Sequence, residues 1–189
     1  MKQFLLAASL LAHSASLLAL AAPSFAADWK VLPAESALTF TGSQTGEKFT
    51  GKFSRFEAKI ALDPQKLDEA KIEVSVDLAS AATGDKQRDT ALPDTDWFAV
   101  KKFPQAVFVS KSVRKAGEVY EAIGDLTLRG VTKEVKLPFT LEIDGKNAHA
   151  KGHADLMRDA FGVGQGDWAS DQWVAFQVGV DFDLKAEAN

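Results

Sequence analysis

From Val131 to Ile143 every second residue is apolar: Val131, Val135, Leu137, Phe139, Leu141 and Ile143, with Lys133 the one break. Thr132, Glu134, Lys136, Pro138, Thr140 and Glu142 stand between them. A strand points successive side chains to opposite faces, so this segment has an apolar side and a wet side. The same alternation runs through Ala37–Gln44, Lys48–Asp63, Ile72–Leu78, Gln105–Arg114, Glu118–Leu128, Ala148–Met157 and Val174–Leu184. In the second of these the apolar parity changes, from Phe49, Gly51 and Phe53 to Phe56, Ala58, Ile60 and Leu62. A bulge near Ser54-Arg55 would keep both sets on one side. Eight strands, mostly joined by short Gly, Asn or Lys turns, predict an antiparallel meander, and eight strands gain by closing into a barrel because closure removes edges.

The pattern fails between Ser80 and Pro104. Asp85–Leu92 reads as a short helix stopped by Pro93, and Asp94-Thr95-Asp96 as the cap of a further turn bearing Trp97 and Phe98. With Phe103, these aromatics are expected to plug one barrel end.

At eight strands a barrel either fills with side chains or holds one small ligand. Ala148, Ala150, Gly152 and Ala154 share the face expected to meet Val174, Phe176, Val178, Val180, Phe182 and Leu184. Small residues leave room, although in a filled, tapered barrel they would merely offset large ones opposite. The longest strand, tilted by about 40°, gives a barrel about 33 Å tall, close to the hydrocarbon thickness of a bilayer at about 30 Å. A tunnel of that length suits a prenyl or acyl chain.

Gly124-Asp125-Leu126-Thr127-Leu128-Arg129-Gly130-Val131-Thr132-Lys133, a turn between two such strands, resembles the YceI-like family of small secreted lipid-binding proteins, which usually has His where this chain has Arg129. The likeness continues in order through Thr83-Gly84, Arg88-Asp89 and Leu92, Asp96-Trp97-Phe98, Phe103-Pro104, Phe108-Val109-Ser110 and Arg158-Asp159-Ala160-Phe161-Gly162, from about Trp29 to Leu184. The resemblance implies an all-β, eight-stranded, lipocalin-like barrel that holds a long isoprenoid or similar amphiphile, with no catalytic residues.

Lys2, the apolar run Phe4–Ala22 and Ser24-Phe25-Ala26 read as a signal peptide over 1–26, cut after Ala26 and leaving a single barrel domain over 27–189 in the periplasm. His13, Ser14 and Ser16 interrupt the run, against a membrane anchor. The chain has no Cys, which suits an oxidising compartment and excludes attachment of lipid through an N-terminal Cys. Loss of Lys2 takes the net charge from −4 to −5, which opposes nucleic acid and anionic membrane surfaces as partners.

Candidate chemistry is sparse. His149 and His153 lie four apart on the polar parity, about 13 Å from each other on a strand, too far to share a zinc ion. Gly162-Val163-Gly164-Gln165-Gly166 lacks the strand-then-helix context of a phosphate-binding loop and reads as a connection, with a backbone nest for a ligand head as the functional alternative. Arg88 and Arg158 are the candidates for a head group, against an orienting role on barrel carbonyls. Asp181 and Asp183 share the polar face of the last strand. No G-x-S-x-G elbow or Cys nucleophile is present. The expected ligand-lining positions are Phe40, Phe53, Arg88, Trp97, Phe98, Phe108, Phe139, Ala150, Gly152, Arg158, Phe161, Trp168, Phe176 and Val178.

The sequence therefore predicts a non-enzymatic binding protein for a long-chain lipid, polyprenyl or quinone-like, with no metal or other cofactor and no stable membrane insertion. An enzyme acting on a bound lipid and a small outer-membrane barrel are the rivals. Ligand head and length, and whether two barrels pair as a homodimer, stay open.

Overall fold

The computed structural model describes residues 28–189. The expected leader over 1–26 and the mature start at Ala27 lie outside the described residues. The chain forms a closed, eight-stranded antiparallel barrel with one short helix.

Three of the eight walls are broken strands. The first is β1 (Asp28–Val31) followed by β2 (Ala37–Gln44), parted by a 3-10 turn over Pro33–Glu35. The second is β3 (Glu47–Phe53) and β4 (Phe56–Ala61), and the third is β5 (Lys71–Asp77) and β6 (Ala81–Ala82). Helix α1 (Lys86–Ala91) follows. Then come β7 (Gln105–Ala116), β8 (Val119–Leu128), β9 (Val131–Asp144), β10 (Asn147–Met157) and β11 (Gln177–Ala188). Closure occurs where β11 pairs both halves of the first wall, Phe182 with Leu38 on β2 and Ala186 with Val31 on β1.

The breaks have sequence causes. At Ser54-Arg55 the apolar parity switches, and Phe49 and Phe53 before the break face inward like Phe56 and Ile60 after it. Buried Ser80 buttresses the kink: its hydroxyl donates to the Asp77 carbonyl at 2.6 Å and accepts the Arg55 N–H at 3.1 Å. The Pro33 turn inserts two residues into the first wall, which runs ten residues between Thr39↔Lys52 and Trp29↔Ile60 where its partner runs eight.

Three boundaries differ from expectation. β1 is additional to the expected strands, because four residues ahead of a proline carry too short an alternation to stand out. Leu78 leaves its strand for a 3-10 turn over Leu78–Ser80, capped by Asp77 on the Ala79 N–H at 2.9 Å. The last strand begins at Gln177, with Val174 making only an isolated bridge to Gln44.

Two apolar clusters close the ends. At one, Trp29, Leu62, Phe108, Tyr120, Phe139 and Ala186 pack together, with the Trp29 indole N–H on the Leu62 carbonyl at 2.9 Å. The Tyr120 and Phe139 rings stack 5.5 Å apart. At the other, Leu78, Phe98, Ala106, Phe161 and Val163 pack under a lid made by segments 83–104 and 158–176. The outer wall is charged, with ion pairs such as Lys111–Asp125 at 2.6 Å, Lys151–Asp183 at 3.3 Å and Arg114–Glu121 at 2.5 Å. An outer-membrane barrel needs the reverse, an apolar band facing out. Among the described residues no helix is long and apolar enough to cross a membrane.

Candidate functional site

Between the two end clusters lies a cavity of about 290 Å³. A cavity of about 150 Å³ already suffices to hold benzene while staying dry. Protein interiors otherwise pack at a density of about 0.74 with few voids larger than a water. Here, among the described residues, no large side chain is fully enclosed. The inward residues instead give onto shared space.

Ten of the fourteen expected positions line this cavity: Phe40, Phe53, Trp97, Phe98, Phe108, Phe139, Ala150, Arg158, Phe161 and Val178. They come together from β2, β3, β7, β9, β10, β11 and the lid. Four do not line it. Gly152 shares their parity, but the space its missing side chain leaves is filled by the Phe182 ring of the facing strand and by the Pro138 carbonyl. Arg88 lies outside on α1, over the Phe49 ring at 4.6 Å and donating to Gln44 Oε1 at 3.2 Å. Trp168 backs Trp97 from behind, ring centres 5.6 Å apart. Phe176 precedes the true start of β11, so strand parity does not apply, and its ring lies 5.1 Å from the Arg158 guanidinium.

Sequence reasoning missed Leu38, Phe49, Leu92, Val163, Phe182 and Leu184 as lining residues. Phe49, Phe182 and Leu184 were within reach, since each shares the apolar parity of a named neighbour. Leu92 and Val163 sit in irregular lid segments where no periodicity marks an inward position.

Arg158 is the one charged residue of the lining and is only 4% exposed. Its Nε donates to the Ala175 carbonyl at 3.1 Å, its Nη1 to Val163 at 2.8 Å, and its Nη2 to Ser170 at 2.8 Å and Val174 at 2.7 Å. Burial lowers its pKa below the usual guanidinium range, and Asp159 and Asp171 act weakly the other way. A guanidinium nevertheless stays protonated in a protein.

The lid is tied down from two sides. Arg129, in the left-handed region at φ 52°, donates to the Trp97 carbonyl at 2.8 Å and the Thr95 carbonyl at 2.6 Å. The Asp96 carbonyl accepts the N–H groups of Gly164 and Gln165, both at 2.8 Å. The glycine run is thus a connection joined to the other lid segment.

His149 and His153 face outward, paired across strands to Asp183 at 2.6 Å and Asp181 at 2.7 Å. The Asp181 carboxylate raises the pKa of His153, and His149 and Lys151 lower that of Asp183. Among the described residues no three His, Cys, Asp or Glu side chains gather closely enough to hold a metal ion.

The model of the YceI-like domain matches residues 29–186. A UPF0312 protein of Photorhabdus laumondii is 37% identical over 135 residues, covering 70% of both chains. One from Pseudomonas putida strain W619 is 32% identical over 162 residues, covering 82% of this chain and 78% of its own. Among solved structures, Burkholderia cenocepacia BcnA superposes with a TM-score of 0.79 at 33% identity, over 82% of this chain and 98% of its own. A polyisoprenoid binding domain from Saccharophagus degradans, at 17% identity, shares the fold with a TM-score of 0.67 over 88% of this chain and 100% of its own.

Proposed function

The chain belongs to the YceI-like family, and we propose that it is a binding protein that encloses one long-chain amphiphile, a polyisoprenoid or a quinone with such a tail, and shields it from water in the periplasm. The observation that carries this reading is the apolar cavity running between two packed ends, with inward side chains that share space instead of filling it. Burying a tail there is worth about 25 cal/mol per Å² of apolar surface removed from water. The Saccharophagus degradans domain of like fold, described as polyisoprenoid binding, is consistent with the ligand class. An enzyme acting on a bound lipid has less support, because the cavity lining described here offers one guanidinium and no nucleophile or carboxylate beside it.

Ala150 provides the test. It faces the cavity between Leu141 and Leu184. In a hollow barrel Ala150→Phe fills unused space and the delipidated protein keeps near-normal stability, yet takes up much less prenyl ligand. In a filled core the same change costs about 1–3 kcal/mol. Thr140→Phe, on the exposed parity, is the control and keeps its ligand. An unfolded Ala150→Phe, alongside a wild type that takes up no prenyl chain, would overturn the proposal.

A further inference from the structure

We infer that the ligand's tail enters and leaves the barrel sideways, through a seam between the lid-end halves of β9 and β10 that Pro138 keeps from zipping shut. This rests on the lipid-binding reading above and adds the route by which the cavity is loaded. The cavity lies between two packed ends, and the lid is tied down at Arg129 and Asp96. A passage through either end has to break those contacts.

The β9–β10 ladder runs from Asn147↔Asp144 to Gly152↔Phe139 and stops there, although both strands continue, β9 back to Val131 and β10 on to Met157. On their other sides the pairing does not stop: β8 stays paired with β9 through that stretch, and β11 with β10. Pro138 stands at the break. Its carbonyl oxygen crowds the site that a β-carbon on Gly152 would occupy, so it points at β10. In an antiparallel ladder a residue's N–H and C=O face the same neighbour, so the donor that proline lacks is the one β10 would have used. Had the ladder run on in register, Lys136 would face Asp155. Those two carry opposite charges and still form no ion pair. Among the described residues no backbone hydrogen bond or ion pair joins 131–138 to 153–157.

Side chains alone close the seam. Val135 and Leu137 stand on one side of it and Ala154 and Leu156 on the other, and all four line the cavity. The Phe139↔Gly152 pair bounds it at mid-barrel, and Phe161, packed on Val131 and Val135, bounds it toward the lid. Met157, 47% exposed, offers apolar surface at the outer margin, where a tail first touches the wall. Side chains rearrange far faster than a hydrogen-bonded ladder opens, so this stretch of wall parts without the loss that any paired stretch would suffer. The β8–β9 hairpin is one side of the seam, and Arg129 at its tip fixes that side to the lid.

The experiment straps the two routes in turn. The chain has no Cys, so introduced thiols can be bridged selectively. Lys136→Cys with Asp155→Cys, joined by a bis-maleimide, lays a strap across the seam from the outer face. Asp96→Cys with Gln165→Cys, joined in the same way, holds together the two lid segments that already meet at the Asp96 carbonyl. Each delipidated, bridged protein is compared with its own unbridged form. Uptake and release of a prenyl alcohol are followed by the fluorescence of Trp29 and Trp97, which line the cavity. The seam strap should slow uptake and release together by at least about tenfold and leave Kd within about twofold, because the barrier stands equally in both directions. The lid strap should leave both rates within about twofold. Unchanged rates under the seam strap, or a lid strap that slows exchange as much as the seam strap does, would overturn the lateral route while leaving lipid binding intact. A wild type that takes up no prenyl alcohol would instead overturn the binding function itself.

Discussion

In three cross-strand pairs a phenylalanine covers the glycine opposite it: Phe40↔Gly51, Gly42↔Phe49 and Gly152↔Phe182. In each the ring lies over the glycine, at the site a β-carbon would occupy. The rings thereby lie along the wall and leave the lumen open, a use of glycine that apolar periodicity alone does not reveal. The pairs are not equally tolerant. At Gly42 only the Phe49 ring is in the way, nearest at 2.7 Å, whereas at Gly152 the Pro138 backbone carbonyl also obstructs. Gly152→Ala should therefore cost about 1–3 kcal/mol, and clearly more than Gly42→Ala, in urea unfolding. Equal costs would show that backbone crowding does not govern these sites.

On the outer face, His153 titrates with a folded-state pKa above its ordinary 6.5 because Asp181 accepts from its ring. A raised value means that this stabilisation is complete below pH 6.5 and fades as pH climbs through the folded-state value. Asp183 behaves oppositely. Its value lies below the ordinary 3.8, so its contribution holds above that pH and is lost on acidification through the lower folded-state value. Both side chains are about half exposed, so solvent screening keeps the effect well under about 1 kcal/mol. Melting curves at pH 5.5 and 8.5 should show His153→Gln losing the small gain in stability that wild type has at the lower pH. An unchanged difference would remove His153 as its source.

At the scale of elements, the lid carries most of what is particular to this chain. Arg129 and Gly130 both take positive φ, at 52° and 75°, in the two-residue turn between β8 and β9. A long side chain is uncommon in that region, and here its guanidinium reaches over to two lid carbonyls. Arg129→Ala should cost about 1 kcal/mol and speed ligand exchange, read as faster amide exchange at Trp97–Val100 and faster lipid release. Slow release with normal amide protection would show that the lid does not depend on this tie. Gly164, at φ 87°, lies directly against Arg158 Nη1, so Gly164→Ala should disturb the lid more than Gly46→Ala, where φ is 88° but nothing crowds the site.

The strands were legible because a period of two is a local signal, and the helix because Asp85 and Pro93 bracket it. The lid contacts were not. Arg129 meets residues more than thirty positions away and Arg158 gathers carbonyls from Val163 to Ala175, and neither leaves a periodic trace. Phe176 and Trp168 lack such a trace as well: their segment reads as strand and connection, and only the tertiary packing puts them behind Arg158 and Trp97.

For the whole molecule, the closed meander with broken walls places both apolar parities inward and the charges outward. That much follows from alternation plus closure. Whether an eight-stranded barrel is filled or hollow depends on side-chain volumes across the lumen, and the small face of β10 pointed to the hollow state without excluding an offset core. The most direct test is native mass spectrometry of mature protein released by osmotic shock, followed by lipid extraction. A one-to-one complex with a long-chain amphiphile is expected, lost on denaturation, retained by Thr140→Phe and largely absent from Ala150→Phe. An unliganded mass for freshly isolated wild type, with no uptake of any prenyl amphiphile after incubation, would contradict the account.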